Sequence, residues 1–395
     1  MIHPKESPCT AGTGRKLATR VVRTVSGTDA RTGASSVPIY QASTFHHASL
    51  ENPPEYDYTR SGNPTRQALE DTIAQLEGGA RGFAFSSGMA AISTAFMLLS
   101  NGDHVICSED VYGGTYRLLT TILGRMGIET TFVDATDLDR LEAARRPNTR
   151  AVFLETPSNP TLKITDIAAV AEWARKHGLL TMLDNTFMTP CLQRPIELGI
   201  DIVVHSATKF LGGHSDVLAG LAVVSNERLG HKLKHLQNGL GSVLGVQDSW
   251  LLMRGMKTLL ARMECAERSA RQLADWLTRQ PSVTRVYYPG LPEHPGRAIH
   301  ERQSQGYGAI VSFDVGSGER ARKVLEHVTL PLVAVSLGAV ESILSYPALM
   351  SHAAMPREIR LQRGIGDGLL RYSVGLEALE DILGDLDQAL HAARA

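Results

Sequence analysis

The chain has 395 residues, enough for two or three domains, and its 43% hydrophobic and 21% charged residues are typical of a globular protein. Its 40 basic and 41 acidic residues give a net charge of −1 without a long run of either sign, which argues against a nucleic acid or an anionic membrane as its main partner. Four widely separated cysteines form no CxxC pair, which favours reduced thiols. With no export signal and no apolar stretch suited to a membrane, the sequence predicts a cytoplasmic protein.

The first 60 residues show little helical periodicity and contain many turn formers. Because such a segment cannot bury a core of its own, we expect an N-terminal arm that lies on another surface, such as a neighbouring subunit. A helix is then predicted through Leu69, Ile73 and Leu76, with Thr65 as its N-terminal cap and the glycine pair that starts at Gly78 as its end.

Short strand patterns alternate with amphipathic helices between residues 82 and 225. This alternation predicts an α/β domain with a mostly parallel sheet covered on both faces, in which ligands bind beyond the carboxyl ends of the strands. The strands expected in this sheet are Phe83–Phe85, His104–Cys107, Thr130–Val133, Ala151–Leu154, Leu179–Leu183, Ile202–His205 and Leu221–Val224.

Longer helical patterns follow residue 226, and a smaller α/β domain is expected after them. Its expected elements are strands at Ile310–Val315, Leu332–Val335 and Leu370–Val374 and helices at Glu319–His327 and Leu379–Ala393. The predicted organisation is an inter-subunit arm at 1–60, a cofactor-binding domain at 61–250 and a C-terminal domain at 251–395.

Polar residues occur where several of the expected strands end. Ser87 and Gly88 precede a helix, where free N–H groups suit a phosphate, although helix capping alone would explain a serine there. Tyr112 is placed either to stack on a flat cofactor or to pack in the core. Asn159 either forms a turn or donates a hydrogen bond to a ring oxygen. Arg371 lies inside an expected strand and requires a carboxylate partner, either structural or from a substrate.

Lys209 follows the expected strand Ile202–His205, in a loop that also contains Ser206 and Thr208. Desolvation in such a place favours the neutral amine, which can form a Schiff base with an aldehyde. Asp184 ends an upstream apolar strand with a carboxylate. A lysine that binds the aldehyde and an acid that keeps the pyridine nitrogen protonated are the pair that pyridoxal phosphate requires.

Other kinds of site lack their motifs. No GxGxxG or GxxxxGK[ST] follows a strand, so nucleotide binding lacks its phosphate loop. The histidines form no HExxH motif, and no clustered set of carboxylates accompanies them, so we predict no metal site. A hydrolase of the GxSxG type is excluded in the same way.

Taken together, these motifs resemble the Cys/Met-metabolism family of pyridoxal-phosphate enzymes, which includes cystathionine β- and γ-lyases, cystathionine γ-synthase and methionine γ-lyase. The likeness extends from about Val37 to Ala389. It is carried by Tyr58–Arg66, Phe85–Ala91, Val111–Thr115, Glu155–Pro160, Leu183–Phe187, Ser206–Asp216, Pro289–Pro295 and Ser373–Glu377. The resemblance implies a larger domain of the aspartate-aminotransferase-like kind (fold type I) and a homotetramer built of active dimers.

The resemblance also implies a role for each matching residue. Lys209 would bind the cofactor covalently, Asp184 would pair with its pyridine nitrogen, and Tyr112 would stack on its ring and take part in catalysis. Asn159 would lie near the ring hydroxyl. The residues expected around the phosphate are Ser87, Gly88, Met89, Ser206 and Thr208, together with Tyr58 of the partner subunit and Arg60 of the partner subunit. The residues expected to hold the substrate α-carboxylate are Ser336 and Arg371.

Which reaction the chain catalyses depends on fewer positions. Family members that handle cystathionine by γ-chemistry usually have an acid where this chain has Val335, and methionine γ-lyases with valine there usually have a cysteine at Gly114. The run from Ala334 to Pro347 is most similar to bacterial cystathionine β-lyases of the γ-lyase-like branch.

We therefore expect a lyase of trans-sulfuration that releases homocysteine from L-cystathionine by β-elimination. The alternatives are a cystathionine γ-lyase and a synthase that performs γ-replacement on an acylated homoserine. A catalytically idle relative is disfavoured because Lys209, Asp184 and Arg371 are all present.

Overall fold

The computed structural model of the protein describes residues 15–24, 29 and 31–394. Two β-sheets organise these residues, a seven-stranded sheet followed along the chain by a five-stranded one. The predicted α/β fold with a larger, mostly parallel sheet and a smaller second sheet is confirmed. The domain limits at residues 60 and 250 stay predictions.

The larger sheet has the strand order β1-β7-β6-β5-β4-β2-β3. Its strands are β1 Arg81–Phe85, β2 His104–Ser108, β3 Glu129–Val133, β4 Thr149–Glu155, β5 Leu180–Asp184, β6 Ile202–Ser206 and β7 Gly220–Val224. In this sheet β7 is antiparallel to both of its neighbours, whereas the strands from β6 to β3 pair in parallel. Seven strands were expected, and all seven are found within one or two residues of the predicted limits.

Helices cover both faces of this sheet because its strands are apolar on both sides. Phe153 of β4 packs in one apolar cluster with Phe96, and its neighbour Leu154 packs in another with Ile167 on the opposite face. The helices of this part are α1 Leu17–Thr24, α2 Pro64–Glu77, α3 Gly88–Phe96, α4 Gly113–Arg117, α5 Leu138–Ala144, α6 Ile167–Lys176, α7 Thr189–Leu192 and α8 Glu227–Leu240, with a π-helix at Leu118–Leu123 and 3-10 turns at Gly124–Met126 and Pro195–Leu198.

The smaller sheet has the order β10-β11-β12-β9-β8. Its strands are β8 Arg285–Tyr287, β9 Ile310–Asp314, β10 Leu332–Val333, β11 Ile343–Ser345 and β12 Leu369–Ser373. The remaining helices of the chain are α9 Val246–Met256, which packs on α2, and α10 Leu259–Thr278, α11 Arg297–Gln303, α12 Gly318–His327, α13 Arg357–Gln362 and α14 Leu379–Ala392. The sequence analysis missed β8 and β11. Each has only three residues, which is too short for a hydrophobic period to appear.

The predicted N-terminal cap of α2 was wrong. The cap of α2 is Asn63, whose side chain accepts a hydrogen bond from the Thr65 backbone N–H at 2.9 Å, so Thr65 lies inside the helix. Pro64 takes the first helical position, where its missing N–H is not needed. The helix ends at Gly78 as predicted, with φ +76°.

Helix α1 was also unexpected, because residues 1–60 show little periodicity. Val21 is 1% exposed and packs in the apolar cluster that includes Leu69 of α2, and Arg20 donates a hydrogen bond to the Gln75 carbonyl. Part of the predicted arm therefore packs on its own chain.

Cys107, Cys191 and Cys265 are free thiols, and Cys9 lies outside the described residues. No helix in the described ranges is long and apolar enough to cross a membrane.

Candidate active site

Lys209 lies three residues beyond the end of β6, in the loop that the sequence analysis singled out. Its ammonium group donates a hydrogen bond of 2.6 Å to Oγ of Ser336, a residue 127 positions later in the chain. Burial disfavours the charged form and nearby Arg371 repels it, and together they lower the pKa of Lys209 to about 8. A minor fraction of this lysine, about a tenth at pH 7, is therefore neutral and able to act as a nucleophilic amine.

Asp184 ends β5, which pairs in parallel with β6, so the carboxylate and the Lys209 loop lie at the same edge of the sheet. Its Oδ1 accepts hydrogen bonds from the backbone N–H of Thr186 at 3.0 Å and from the hydroxyl of Thr186 at 2.5 Å. Burial raises the pKa of Asp184 despite these bonds. Its Oδ2 has no hydrogen-bond partner among the described residues, so it is available to a cation.

The start of α3 reaches the end of β6. Ser87 caps this helix by accepting a hydrogen bond from the Ala90 N–H at 3.1 Å. A Cβ atom at Gly88 would lie 2.8 Å from Cβ of Ser206, so only glycine allows this approach. The N–H groups of Gly88 and Met89 have no acceptor within the helix, since they belong to its first turn. Ser206 and the N-terminus of α3 thus form one concave, donor-rich surface.

The hydroxyl of Thr208 already has hydrogen-bond partners within the chain. Its hydroxyl donates to the Ala219 carbonyl at 3.2 Å and accepts from the Ala219 N–H at 3.1 Å. A hydroxyl has a single proton to donate. In this arrangement the Thr208 proton is already engaged, so its predicted contact with a phosphate requires the hydroxyl to rotate.

Tyr112 precedes α4 with a side chain that is 39% exposed, so it is not a core residue. Its ring folds back over Gly114, because a Cβ there would lie 2.3 Å from Cε1 of Tyr112 and 2.9 Å from Sδ of Met89. The backbone N–H of Tyr112 donates to Oε2 of Glu155 at 2.8 Å. The backbone of Tyr112 is therefore anchored to Glu155, while its side chain stays partly exposed.

Glu155 is a site residue to which the sequence analysis gave no role. It ends β4 directly beside Asp184 of β5 in the sheet register. Burial and the neighbouring charge of Asp184 raise the pKa of Glu155 well above its usual value. The sequence feature that could have identified Glu155 is its position at the end of an expected strand, as for Asp184 at the end of the next expected strand.

Arg371 lies inside β12, as predicted, and is 2% exposed. Its guanidinium donates to Oδ1 of Asn159 at 2.9 Å, to the Ser336 carbonyl at 2.7 Å and to Oγ of Ser345 at 3.1 Å. None of these partners is a carboxylate, so the structural partner that was one of the two predicted alternatives is not found among the described residues, whereas a substrate carboxylate stays a prediction. Nε has no acceptor. Burial lowers the pKa of Arg371 to about 10, which still leaves it charged at neutral pH.

Ser336 connects Lys209 with Arg371 through its hydroxyl and its carbonyl. Its φ of +100° lies in a region that residues with a Cβ rarely adopt. Such backbone conformations concentrate at functional sites. The structure thus brings together Lys209, Arg371, Asn159 and Ser336 from both parts of the fold.

Tyr58 and Arg60 are not among these contacts. Arg60 donates to the Asn238 carbonyl at 2.7 Å and lies 5.6 Å from the centroid of the Tyr58 ring, and both side chains are exposed. Within the described part of the chain neither contacts Lys209 or Ser87. Their predicted action across a subunit interface stays a prediction.

The comparisons with known proteins match this architecture. The model of the family described as Cys/Met metabolism PLP-dependent enzyme matches residues 18–391. The chain belongs to this family. It is 62% identical to cystathionine beta-lyase MetC of Bacillus subtilis (strain 168), over 95% of this chain and 96% of that protein. It is 54% identical to cystathionine gamma-lyase of the same organism, over 92% and 96% respectively.

A solved structure agrees over the whole fold. The crystal structure of cystathionine gamma-lyase from Lactobacillus plantarum complexed with L-serine has a TM-score of 0.94 and 50% identity, and covers 96% of this chain and 100% of that one. The family places pyridoxal phosphate in this protein, and the residues present fit it. Lys209, whose pKa is lowered, suits the aldehyde of the cofactor, and the buried carboxylate of Asp184 suits its protonated ring nitrogen. The N-terminus of α3 suits its phosphate. In the described residues no group of histidine, cysteine or acidic side chains is arranged to hold a metal ion.

Proposed function

We propose that the protein is a carbon–sulfur lyase of trans-sulfuration that cleaves L-cystathionine by β-elimination to homocysteine, pyruvate and ammonia. The observation that carries the proposal is that Lys209 and Arg371 both contact Ser336. The amine of Lys209 is partly neutral, and Arg371 is a buried cation. This arrangement suits an amino-acid substrate whose carboxylate binds Arg371 while Lys209 moves a proton. The similarity to a cystathionine beta-lyase at 62% identity supports the choice of substrate.

Each residue has a defined task in this reaction. Bound pyridoxal phosphate supplies the electron sink that makes the Cα proton acidic. Nζ of Lys209 removes that proton, and Arg371 fixes the α-carboxylate so that the Cα–H bond faces the lysine. The Cβ–S bond then breaks and homocysteine leaves as a thiolate. Tyr112, whose side chain is 39% exposed, would donate a proton to that sulfur.

The environment of Val335 supports β- rather than γ-chemistry. Val335 lies directly before Ser336 and is 64% exposed. Because its side chain is aliphatic, it offers the substrate no charge and no hydrogen bond. γ-Elimination requires a further proton to be removed from Cβ, and therefore additional acid–base groups. The 54% identity to a cystathionine gamma-lyase supports the alternative of a γ-lyase. The 41% identity to a solved cystathionine gamma synthase of Xanthomonas oryzae pv. oryzae supports the alternative of a γ-synthase.

Product analysis distinguishes these reactions. With L-cystathionine under initial-rate conditions we expect more pyruvate and homocysteine than oxobutyrate and cysteine, quantified by mass spectrometry. An excess of oxobutyrate would reassign the chain as a γ-lyase. Cystathionine formed from acylated homoserine and cysteine faster than either elimination would reassign it as a synthase.

We also propose a cytoplasmic homotetramer of active dimers in which Tyr58 of the partner subunit and Arg60 of the partner subunit complete the phosphate site. Both side chains are exposed in the isolated chain and stack on each other, so they are free to meet a second copy. A mixture of inactive Arg60→Ala chains and inactive Lys209→Ala chains should then regain up to about a quarter of the activity, because some sites combine intact residues from two chains. The measurement is activity after the two variants are mixed and allowed to exchange subunits. A fully active monomer, established by light scattering of the assayed sample, would contradict the proposal.

A further inference from the structure

A cleft of about 720 Å³ separates the two parts of the fold on a side where it includes none of the candidate active-site residues. One wall comes from the larger-sheet part, at Asp134 and 161–164. The other wall comes from the smaller-sheet part, at 283–287 and 291–299. Arg363, directly after α13, also lines it. The volume lies in the range of small-molecule sites in proteins.

Arg363 is the unusual feature of this cleft. Its side chain is only 8% exposed, and it crosses from the smaller-sheet part to lie 5.2 Å and 5.0 Å from the ring centroids of Tyr116 and Phe132. Within the described residues its guanidinium makes one hydrogen bond, a 3.7 Å contact from Nη1 to the thioether of Met355. A buried guanidinium normally requires an anion, because the loss of hydration is costly.

The neighbouring arginines make the contrast clear. Arg357 and Arg360 both pair with Asp367. Arg363 forms no ion pair with any residue that the structure describes. The two aromatic rings stabilise the face of its guanidinium, but they do not accept its in-plane N–H donors. Nε and Nη2 use no acceptor in the described chain, and together they form the edge that binds carboxylate or phosphate oxygens in pairs.

A second arginine stands at the same cleft. Arg285 is exposed, stacks on the Tyr287 ring at 4.7 Å and has no carboxylate partner among the described residues. Lys163, by contrast, is already paired with Glu109 at 2.9 Å and Asp134 at 3.0 Å. This group of one lysine and two carboxylates carries a net charge of −1.

The other titratable groups of the cleft reduce its net charge but do not pair with Arg363 or Arg285. His294 uses both ring nitrogens, one with the Leu162 carbonyl and one accepting from the Gly296 N–H, each at 3.1 Å, which fixes it as the neutral tautomer. Glu293 contributes one negative charge at the rim. Together with the Lys163 group these charges sum to zero, so an anion would be recognised by the unpaired donors of Arg363 and not by a net positive charge of the cleft.

We propose that this cleft binds a small organic anion, a carboxylate or phosphate carried on an apolar body. Arg363 is its buried anchor and Arg285 its second contact. The apolar body would lie on wall residues such as Ile164, Val286 and Leu291. The ligand would contact both parts of the fold, which together build the active site. The proposal concerns a separate site and does not depend on which reaction the enzyme catalyses.

Calorimetric titration of the cofactor-loaded protein with phenyl phosphate and with benzoate tests this site. We expect at least one of these probes to bind, and Arg363→Gln to weaken that binding about tenfold or more, as the loss of charge-assisted hydrogen bonds predicts. Arg285→Gln should weaken it less, because its guanidinium is solvated. This second variant changes an exposed residue and tests the site even if Arg363→Gln is less stable.

Two controls locate the binding. Arg322→Gln removes an exposed arginine of α12 outside the cleft and should change nothing. Arg371→Gln removes the active-site arginine and should leave the affinity unchanged. No binding of either probe up to about 10 mM, binding unaffected by both cleft variants, or binding lost in Arg371→Gln would each overturn the proposal.

Discussion

Replacing Lys209 with alanine should lower the rate of cystathionine cleavage by about 10⁵-fold, because the same amine binds the cofactor and moves the substrate proton. The structure supports both tasks, since Nζ lies within 2.6 Å of Ser336 and burial lowers its pKa to about 8. Steady-state kinetics of the purified variant with L-cystathionine and added pyridoxal phosphate measures the loss.

A chemical readout separates this role from a general loss of folding. Reduction of the wild-type protein with borohydride should fix the cofactor on the peptide that contains Lys209, identified by mass spectrometry, and the variant should remain unlabelled. Lys176→Ala is the matched control, because Lys176 is 65% exposed and pairs only with Glu172 on the surface of α6. Near-normal turnover in the Lys209 variant, or label on another lysine, would disprove the assignment.

The positions of Lys209 and Asp184 at one edge of the sheet were predictable from sequence for a simple reason. Both follow buried apolar strands, and the carboxyl ends of parallel strands meet at the same edge. The N-terminus of α3 was predictable too, since Ser87 and Gly88 lie between a strand and a helix. These features depend only on residues close together in the chain.

Contacts between distant segments of the chain could not be predicted from local sequence patterns. The contact of Lys209 with Ser336 joins residues 127 positions apart, and the partners of Arg371 include Asn159, 212 positions away. Of the two carboxylate partners expected for Arg371, the structural one is not found among the described residues, where neutral oxygens from three segments surround the guanidinium. The other, a substrate carboxylate, stays a prediction. The cap of α2 was predicted wrongly because Asn63 and Thr65 are both residue types that cap helices. Pro64 favours the first helical position, so Asn63 is the cap and Thr65 lies inside the helix.

Arg371→Gln should lower kcat/KM for L-cystathionine by about 10³-fold, with most of the effect in KM. Arg371 already donates three hydrogen bonds to Asn159, Ser336 and Ser345, and its Nε–H has no acceptor. A substrate carboxylate would accept from Nε and Nη2, in place of the Ser345 hydroxyl. Two charge-assisted hydrogen bonds to a carboxylate contribute about 3–6 kcal/mol, and each 1.36 kcal/mol corresponds to a tenfold change. Steady-state kinetics over a wide substrate range gives both constants.

The same variant should also change the titration of Lys209, because Arg371 is one of the two causes that lower the pKa of that amine. In the wild type the neutral, reactive amine gains population as pH rises through about 8, so uptake of pyridoxal phosphate by the apoenzyme should accelerate over that interval. In Arg371→Gln the repulsion is gone, the pKa of Lys209 rises and the acceleration should move to higher pH. Stopped-flow absorbance of cofactor uptake at a series of pH values measures the shift.

A substrate analogue distinguishes carboxylate recognition from a structural role of Arg371. The wild type should strongly prefer L-cystathionine to the amine that lacks the α-carboxylate, whereas Arg371→Gln should process both at similar low rates, because the lost contact is the one the analogue cannot make. Arg322→Gln, an exposed change on α12, is the matched control and should keep the wild-type preference. A variant that loses turnover yet keeps its preference for the carboxylate would show that Arg371 supports the fold of the site, through Asn159 and Ser336, rather than holding the substrate.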